Sequence, residues 1–216
     1  TISSIASRDY EAEFNKAFDK PIRSSNKKNN IQNRSNRPKY RRDSVTTIRF
    51  NGDSLTVKTK YKFDTDGNLT LYTNYSWDSA TQSFEPNNKI EYQYDANGNQ
   101  ILRIRYSWDS ATQSFELDGK TEIQYDADGN QTLYIRYNWD SATKSYEPSY
   151  KTEYQYDANG NQTLYITYPW DSATQSFEPN YKVEYQYDAN GNQTLYIDYS
   201  WDSATQSFEP NNKIEY

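Results

Sequence analysis

The chain has 216 residues, of which 33% are hydrophobic and 17% aromatic, and its formal net charge is −6. It contains no Cys and no His, which excludes thiol chemistry, Cys/His zinc sites and catalytic triads that use His. The low hydrophobic fraction alone favours disorder. However, 23 Tyr, 8 Phe and 5 Trp can each bury a large area, and this favours a thin, half-exposed sheet over a thick core.

The charge is divided unevenly along the chain. Residues 1–43 carry 11 Lys/Arg and 5 Asp/Glu, whereas residues 44–216 carry 13 and 25. A basic segment can bind nucleic acid, but the aromatic residues that would stack on bases lie in the acidic part, which repels phosphate. We therefore expect no nucleic-acid partner. The sequence has no apolar stretch that could span a membrane, so no membrane span is expected either.

Residues 1–43 are predicted to form a short helix followed by a basic, flexible tether. The helix is predicted over residues 7–20, with Pro21 after its last turn. Residues 21–43 are polar, Asn-rich and basic, as is typical of a linker. The helical spacing i, i+4, i+7, i+8 is carried by Tyr10, Phe14, Ala17 and Phe18.

Residues 44–216 form a repeat array with a period of 31 residues. Such a period is the mark of tandem units that bury their apolar residues only against their neighbours. A single unit is therefore not expected to fold by itself. The predicted repeat-core aromatics are Trp77, Trp108, Trp139, Trp170 and Trp201.

Each repeat is predicted to contain two strands and two turns. Residues 177–187 alternate as a strand with one aromatic and one charged face, and residues 188–192 reverse the chain. Residues 194–201 form the second strand, and the second turn is predicted at residues 202–205. Before the array, Asn51-Gly52 predicts another hairpin.

We therefore predict an all-β fold made of tandem 31-residue β-hairpin repeats. They would form one long antiparallel meander, as a coiled or spiral sheet. A β-solenoid with one rung per repeat is the alternative, ranked lower because Asn-Gly and Asp-Gly reversals favour tight antiparallel hairpins. What covers the aromatic face stays open: the sheet could close on itself or lie against another copy.

The turn sequence Tyr-Asp-Ala-Asn-Gly-Asn, at residues 94–99, 156–161 and 187–192, resembles the YD repeats of the RHS family. The longer unit YDANGNQTLYI-x-Y-x-WDSATQSFEP is more similar to tandem YD…GN…W repeats in secreted and cell-surface proteins of Bacteroidota, over about residues 55–216. The resemblance implies hairpin repeats and a secreted or cell-surface localisation in a bacterium. RHS proteins form a shell around a toxin, for which this chain is too short.

The Asp of each YD turn is the candidate for metal binding. The pattern D-x-[DN]-G-N resembles the opening of a calcium loop, but it reaches its Gly two residues earlier than an EF-hand loop does and lacks the late Glu of that loop. A plain hairpin turn is the preferred interpretation, weak calcium sites are the alternative, and no cofactor is expected. The residues concerned are Asp64, Asp95, Asp126, Asp157 and Asp188.

Every Trp is followed by Asp-Ser-Ala, which is similar to the O-glycosylation signal of Bacteroidota. The resemblance implies a glycoprotein, whereas the plain alternative is turn chemistry of Asp, Ser and Thr. Asp43-Ser44-Val45 and Asp53-Ser54-Leu55 fit the same pattern. The candidate serines are therefore Ser44, Ser54, Ser79, Ser110, Ser141, Ser172 and Ser203.

We expect no enzymatic activity and no catalytic residues. Carboxylates such as Glu184 and Asp188 recur in near-identical repeats on a polar face. A catalytic pair needs two unlike environments to separate its pKa values, and repeated identical surfaces do not provide them.

Two functions remain open. The first is an extracellular structural scaffold that could self-assemble into a filament or surface stalk through open sheet edges, with itself or a cell-envelope component as partner. The alternative is a cell-surface adhesin or glycan-binding module that holds polysaccharide by repeated weak sites. Its candidate ladder, for which cross-strand packing is the plain interpretation, is Tyr72, Tyr134, Tyr165 and Tyr196.

Overall fold

The computed structural model describes residues 44–51 and 54–216. The predicted helix over residues 7–20 and the tether over residues 21–43 lie outside the described residues. The described part of the chain contains strands and turns, and no helix in it has the length and hydrophobicity needed to cross a membrane. The strands are β1 (Ser44–Asn51), β2 (Ser54–Phe63), β3 (Leu69–Asp78), β4 (Ser83–Tyr94), β5 (Gln100–Asp109), β6 (Ser114–Tyr125), β7 (Gln131–Asp140), β8 (Ser145–Tyr156), β9 (Gln162–Asp171), β10 (Ser176–Phe177), β11 (Tyr181–Tyr187), β12 (Gln193–Asp202) and β13 (Ser207–Glu215).

The strands form one antiparallel meander in which each strand pairs with the next along the chain. The short β10 pairs with β9 ahead of β11, so β10 and β11 together occupy one strand position. The predicted all-β meander of hairpins is confirmed. The β-solenoid alternative is wrong, because tight turns make every neighbouring pair antiparallel. Since β1 and β13 do not pair with each other, the sheet is open and not a barrel.

The predicted hairpin between β1 and β2 is present, but Asn51 is not one of its turn residues. Asn51 still belongs to β1 and pairs with Ser54. Residues 52–53 themselves lie outside the described part of the chain.

A β-bulge interrupts the alternation of each repeat. In the fourth repeat Phe177 pairs with Trp170, but Tyr181 pairs with Thr167, so one extra residue lies between the two pairs. Because Trp170 and Thr167 are three residues apart on one strand, Phe177 and Tyr181 lie on opposite faces of the sheet. The same shift occurs at Asn87 and at its equivalents in the other repeats.

This bulge makes the predicted division into an aromatic and a charged face wrong. Lys182 pairs with Tyr199 and Glu184 pairs with Ile197, so both charged residues lie on the same face as Trp201. Opposed residues of an antiparallel pair share a face. The alternation Leu195, Ile197, Tyr199, Trp201 along the second strand is confirmed by the register.

The two faces of the sheet differ in how their residues vary between repeats. The constant face carries Trp201, Tyr199, Lys182 and Glu184, together with Phe208 and the equivalents of these five at 31-residue intervals. The variable face carries the alternate residues of the same strands. Its positions, in the fifth repeat and the strand before it, are Tyr181, Val183, Tyr185, Tyr196, Asp198 and Ser200.

The sheet has few buried side chains. Among the described hydrophobic residues, only Leu69 and Val183 are buried, at 7% and 3% relative exposure, and no described side chain is completely enclosed. Four threonines are also buried: Thr59, Thr73, Thr121 and Thr152. Stability must therefore come from strand pairing and from side-chain contacts along each face.

Candidate functional site

The constant face holds a network of four side chains that recurs along the array. The Lys182 ammonium nitrogen lies 3.8 Å from the centroid of the Tyr199 ring and 5.1 Å from that of Phe208. It also pairs with Glu184 Oε1 at 2.8 Å, while the Tyr199 hydroxyl donates to Glu184 Oε2 at 2.7 Å. Cation–π contacts and charge-assisted hydrogen bonds thus link three strands.

The network shifts the pKa values of its members. The hydrogen bond from Lys182 lowers the pKa of the Glu184 carboxyl, because it favours the charged form. The hydrogen bond to Glu184 raises the pKa of the Tyr199 hydroxyl to about 12, since a second negative charge would form beside the first.

The same contacts recur along the array. In the first repeat Lys60 replaces the glutamate, and the ammonium nitrogens of Lys58 and Lys60 lie 5.1 and 5.2 Å from the Tyr75 centroid. The charged groups of the later repeats are paired within the face, which indicates a structural function. The complete sets are Lys89–Glu91–Tyr106, Lys120–Glu122–Tyr137, Lys151–Glu153–Tyr168 and Lys182–Glu184–Tyr199.

The five predicted repeat-core tryptophans lie half-buried on the constant face. Trp201 packs edge-to-face on Phe208, with ring centroids 4.9 Å apart. This geometry is the favoured one for aromatic pairs. The other four, Trp77, Trp108, Trp139 and Trp170, make the same edge-to-face contact with the aromatic residue seven positions later.

The YD turn is organised by its aspartate. Asp95 Oδ1 accepts hydrogen bonds from the backbone N–H groups of Asn97 and Asn99, at 2.9 and 2.8 Å, and its Oδ2 accepts one from the Asn99 side chain at 3.0 Å. Gly98 has a φ of +82°, which favours glycine. Before the turn, the Tyr94 hydroxyl donates to the Leu69 carbonyl of the preceding repeat at 2.8 Å.

These contacts bear on the calcium alternative. Both carboxylate oxygens of Asp95 already accept hydrogen bonds inside the turn, as do those of Asp64, Asp126, Asp157 and Asp188. The N–H groups point at the positions that a cation would need. No cluster of three or more acidic ligands occurs in the ranges 44–51 and 54–216.

The Asp-Ser turn lies at the other end of each hairpin. Asp78 is the last residue of β3, and its Oδ1 accepts a hydrogen bond from the backbone N–H of Ala80 at 2.8 Å. Gln82 closes the turn with a φ of +52°, a strained value for a residue with a side chain. The four turn residues in the fifth repeat are 203–206, one later than the predicted 202–205.

The candidate glycosylation serines fall at two kinds of position. Five of them are the first residue of an Asp-Ser turn and are exposed: Ser79, Ser110, Ser141, Ser172 and Ser203. The other two, Ser44 and Ser54, are the first residues of β1 and β2. Modification of these residues stays a prediction.

The carboxylates considered for catalysis are not brought together as a pair. Glu184 is held by Lys182 and Tyr199 on the constant face. Asp188 is held inside its turn by the backbone N–H groups of Asn190 and Asn192. Each has a separate structural function.

The predicted tyrosine ladder lies on the variable face. Tyr165 packs against Tyr154, and Tyr196 packs against Tyr185, with ring centroids 5.5 and 5.7 Å apart. The Tyr196 hydroxyl oxygen also lies 3.2 Å from the Tyr181 hydroxyl oxygen. The other two members make similar ring contacts, Tyr72 with Tyr61 and Tyr134 with Tyr150.

The positions of the variable face change from repeat to repeat. Down the array, the position of Asp198 is occupied by Asn74, Arg105, Arg136, Thr167 and Asp198. The position of Tyr181 is occupied by Val57, Asn88, Gly119, Tyr150, Tyr181 and Asn212. On the constant face, by contrast, the Trp and Tyr positions do not change at all.

Three arginines were not identified by the sequence patterns. Arg103, Arg105 and Arg136 all lie on the variable face, on β5 and β7. A comparison of equivalent positions among the repeats would have revealed them, because other repeats have Tyr, Asn, Thr or Asp there.

The chain matches a known family over most of its length. The family model described as "Family of unknown function (DUF3836)" matches residues 23–124 and 148–216. The chain has no match among curated proteins.

Several solved structures are similar to the chain. A DUF3836 family protein from Bacteroides vulgatus ATCC 8482 is 17% identical, with 44% of this chain and 96% of that chain covered and a TM-score of 0.37. One from Parabacteroides distasonis ATCC 8503 is 20% identical, with 45% and 90% covered and a TM-score of 0.36. A chain in the Photorhabdus luminescens Tc holotoxin pore is 16% identical, with 78% and 9% covered and a TM-score of 0.34.

Proposed function

Because the chain belongs to DUF3836, a family of unknown function, we propose its function from the geometry: an extracellular scaffold of YD-type, RHS-like repeats that binds glycan through its variable face. In this proposal the constant face stabilises the array, and the variable face binds the ligand.

One observation carries this proposal, namely the different variation of the two faces. The Lys182, Glu184 and Tyr199 groups satisfy one another, and three earlier sets make the same contacts. Across the sheet, the position of Asp198 holds four residue types in five repeats. A surface with only a structural function would be expected to repeat like the constant face. Differences concentrated on one face fit recognition of a ligand.

The chemistry of the variable face suits a glycan. Paired rings such as Tyr154 and Tyr165 offer flat, amphipathic surfaces with a hydroxyl at the edge. Sugar rings present C–H faces that pack on aromatic rings and hydroxyl groups that bond to Tyr, Asn and Ser. Because the sites lie in a row, several weak contacts to one polymer add to a useful affinity.

The extracellular localisation and the YD-type identity are supported by the repeat sequence. The turn Tyr94-Asp95 to Asn99 is the motif shared with YD repeats. Protease treatment of intact cells of the native host tests the localisation. Cleavage of the chain without loss of a cytoplasmic marker is expected, and full protection would contradict an extracellular position.

Binding is tested with immobilised polysaccharides and the purified chain. The variant Y154I/Y185I removes two rings and introduces Ile, which the array already accepts at the equivalent Ile123. We expect it to weaken glycan retention several-fold. The control F177Y alters the constant face to the residue found at Tyr146 and should bind like the parent chain. Equal binding by all three chains, or no binding to any polysaccharide, would contradict the proposal.

Self-assembly is a second candidate, favoured by the open sheet. Within the described residues, β1 and β13 each pair with one strand, so the described sheet has two unpaired edges. Such edges readily accept another strand. Sedimentation velocity and negative-stain images at increasing concentration should show growing assemblies, and monomers throughout would count against this candidate.

A further inference from the structure

The variable face carries a cluster of three arginines in the middle of the array. Arg103 and Arg105 lie on β5, and Arg136 lies on β7. The strand between them, β6, contributes Gly119 and Thr121. We call these five residues the arginine cluster; no other repeat has a positive charge at these positions.

The register places the arginines around a floor of small residues. Thr121 pairs with Arg103 on one side and with Arg136 on the other, so the two arginines face each other across it. Thr121 is only 4% exposed, and Gly119 is also buried. Strands two positions apart are separated by roughly 9.6 Å. The long arginine side chains on both sides therefore cover these small residues of β6.

Gly119 is required by the position of Arg105. A Cβ atom at Gly119 would lie 2.7 Å from Arg105 Nη2 and 2.5 Å from the Tyr137 carbonyl oxygen. Both distances are shorter than real contacts of a Cβ atom. The equivalent positions of neighbouring repeats hold Asn88 and Tyr150, which would fill this space. The glycine and the arginine thus occur together in the one repeat where the guanidinium lies across β6.

The cluster has more cationic groups than acidic partners. Arg105 Nε pairs with Asp118 Oδ2 at 3.1 Å, but neither Arg103 nor Arg136 has an ion pair within residues 54–216. The Nε atoms of both are buried and have no hydrogen-bond partner. Arg136 also forms a hydrogen bond with the Tyr150 side chain. Because the Nε atoms are buried, it is the outer Nη groups of the two arginines that can bond to a carboxylate, which matches the planar guanidinium.

We propose that the arginine cluster binds the carboxylate groups of an acidic, uronate-containing polysaccharide, an inference that rests on the proposed glycan-binding function. The tyrosines beside the cluster, Tyr92 opposite Arg103 and Tyr150 opposite Arg136, provide ring faces for the adjoining sugars. Carboxylates of the polymer pair with the arginines, and its rings pack on the tyrosines.

Other polymers fit the surface less well. An extended peptide usually adds to a sheet at its edge, where backbone groups are free. The cluster lies on a face, with four strands between it and one edge of the described sheet and five strand positions between it and the other. A polymer with separated carboxylates between sugar rings matches both the charge and the rings.

The test compares two double variants that each remove two positive charges. R103Y/R136T introduces residues that the array has at Tyr134 and Thr167. The control K62Q/K144Q introduces Gln at exposed positions where the other repeats have Gln. Both keep the basic residues 1–43, so any binding to that segment is common to them. Circular dichroism and thermal melting verify that the two variants fold alike.

Isothermal titration then measures binding of polygalacturonate, dextran sulfate and neutral dextran to the full chains. We expect R103Y/R136T to weaken polygalacturonate binding about tenfold or more, which corresponds to the loss of charge-assisted contacts. K62Q/K144Q should stay within about twofold of the parent chain, because diffuse surface charge contributes little. Neutral dextran should bind equally to all chains, and dextran sulfate more weakly than polygalacturonate to the parent chain.

Three results would overturn the inference. Equal weakening by both double variants would indicate diffuse charge, unchanged binding by R103Y/R136T would show that the cluster makes no contact, and a preference for dextran sulfate would mean that carboxylate recognition is wrong. If neutral glycans bind in a manner sensitive to Y154I/Y185I while polygalacturonate does not bind, the glycan-binding function stands and this inference fails. If no glycan binds at all, both fail.

Discussion

Lys182 and Tyr199 face each other on neighbouring strands, with the ammonium nitrogen 3.8 Å from the centre of the tyrosine ring. This contact joins β11 to β12, and Phe208 extends it to β13. It exists because a bulge in each repeat turns the lysine to the tryptophan side of the sheet. A single-layered sheet without an enclosed core gains a substantial part of its cohesion from such ladders.

Removal of one lysine of the constant face should destabilise the array. The variant K182M loses the ammonium group above Tyr199 and the ion pair with Glu184, and we expect the free energy of unfolding to fall by about 1 kcal/mol. Urea denaturation monitored by tryptophan fluorescence measures the change. The control K62Q, at an exposed position where the other repeats have Gln, should leave the denaturation midpoint unchanged. A K182M midpoint equal to that of K62Q would contradict the structural function of the network.

The tyrosines of the constant face should make the array sensitive to alkali. Burial and the hydrogen bond to Glu91 raise the pKa of Tyr106 from 10.0 to about 12. Because the pKa in the folded state is above that of the unfolded state, the stabilisation is complete below about pH 10 and is lost as the pH rises through 12. Phenolate absorbance and circular dichroism, recorded together, should show late ionisation coupled to unfolding. In Y106F the dependence of stability on pH should be shallower, and an unchanged slope would count against the coupling.

Removing the glycine of one turn and introducing a glycine in the other should change the stability of the array in opposite directions. Gly98 has a φ of +82°, so G98A forces a side chain into the left-handed region and should destabilise by about 1 kcal/mol. Gln82 has a φ of +52°, so Q82G removes strain and should be neutral or stabilising by about 0.5 kcal/mol. Thermal melting of both variants provides the comparison. The same sign for both changes would mean that these backbone angles are wrong.

The YD turns should weaken in acid. The hydrogen bond from the backbone N–H of Asn99 lowers the pKa of Asp95 below 3.8. A lowered folded-state pKa gives stabilisation that is present above about pH 4 and is lost as the pH falls through the folded value. The variant D95N should therefore reduce the denaturation midpoint at neutral pH and flatten its decline in acid. D128N, which introduces the residue found at Asn97 and Asn159, should retain the decline of the parent chain.

A single repeat should not fold alone. The peptide 100–130 contains β5, β6 and the turn between them, but it lacks β4 and β7, which pair with them. An isolated hairpin is marginal in water, because the entropy of ordering exceeds what two strands recover. Circular dichroism of the peptide should lack the β-sheet signal of the full chain. A peptide spectrum like that of the full chain, per residue, would contradict the interdependence of the repeats.

The fold could be predicted from the sequence because its signals are local and repeated. Alternation marked the strands, and Gly98 with its equivalents marked one turn of each repeat. The assignment of side chains to faces was wrong, because a bulge changes the face without leaving a clear sign in the sequence. The extra residue is Asn87 in one repeat and Ser149 in another, and neither type is restricted to bulges.

The candidate site was harder to predict than the fold. Arg103 and Arg136 are far apart in sequence and belong to different repeats, and only the pairing of both with Thr121 brings them together. The sequence motifs at Asp95 and Ser79, by contrast, repeat in every unit. A site that occurs only once on the surface is formed instead by positions at which the repeats differ, such as Gly119.

Each repeat contributes an even number of strands, and this has a consequence for evolution. Adding or removing one 31-residue unit returns the chain to the same border of the sheet, running in the same direction, with every downstream contact preserved. Residues 76–92 and 200–216 are identical, and such sequence identity favours recombination between the DNA segments that encode them. Unequal crossing-over would then lengthen or shorten the protein in steps of roughly 10 Å. The length of the array could therefore change with the number of repeats alone, without any new kind of contact between strands.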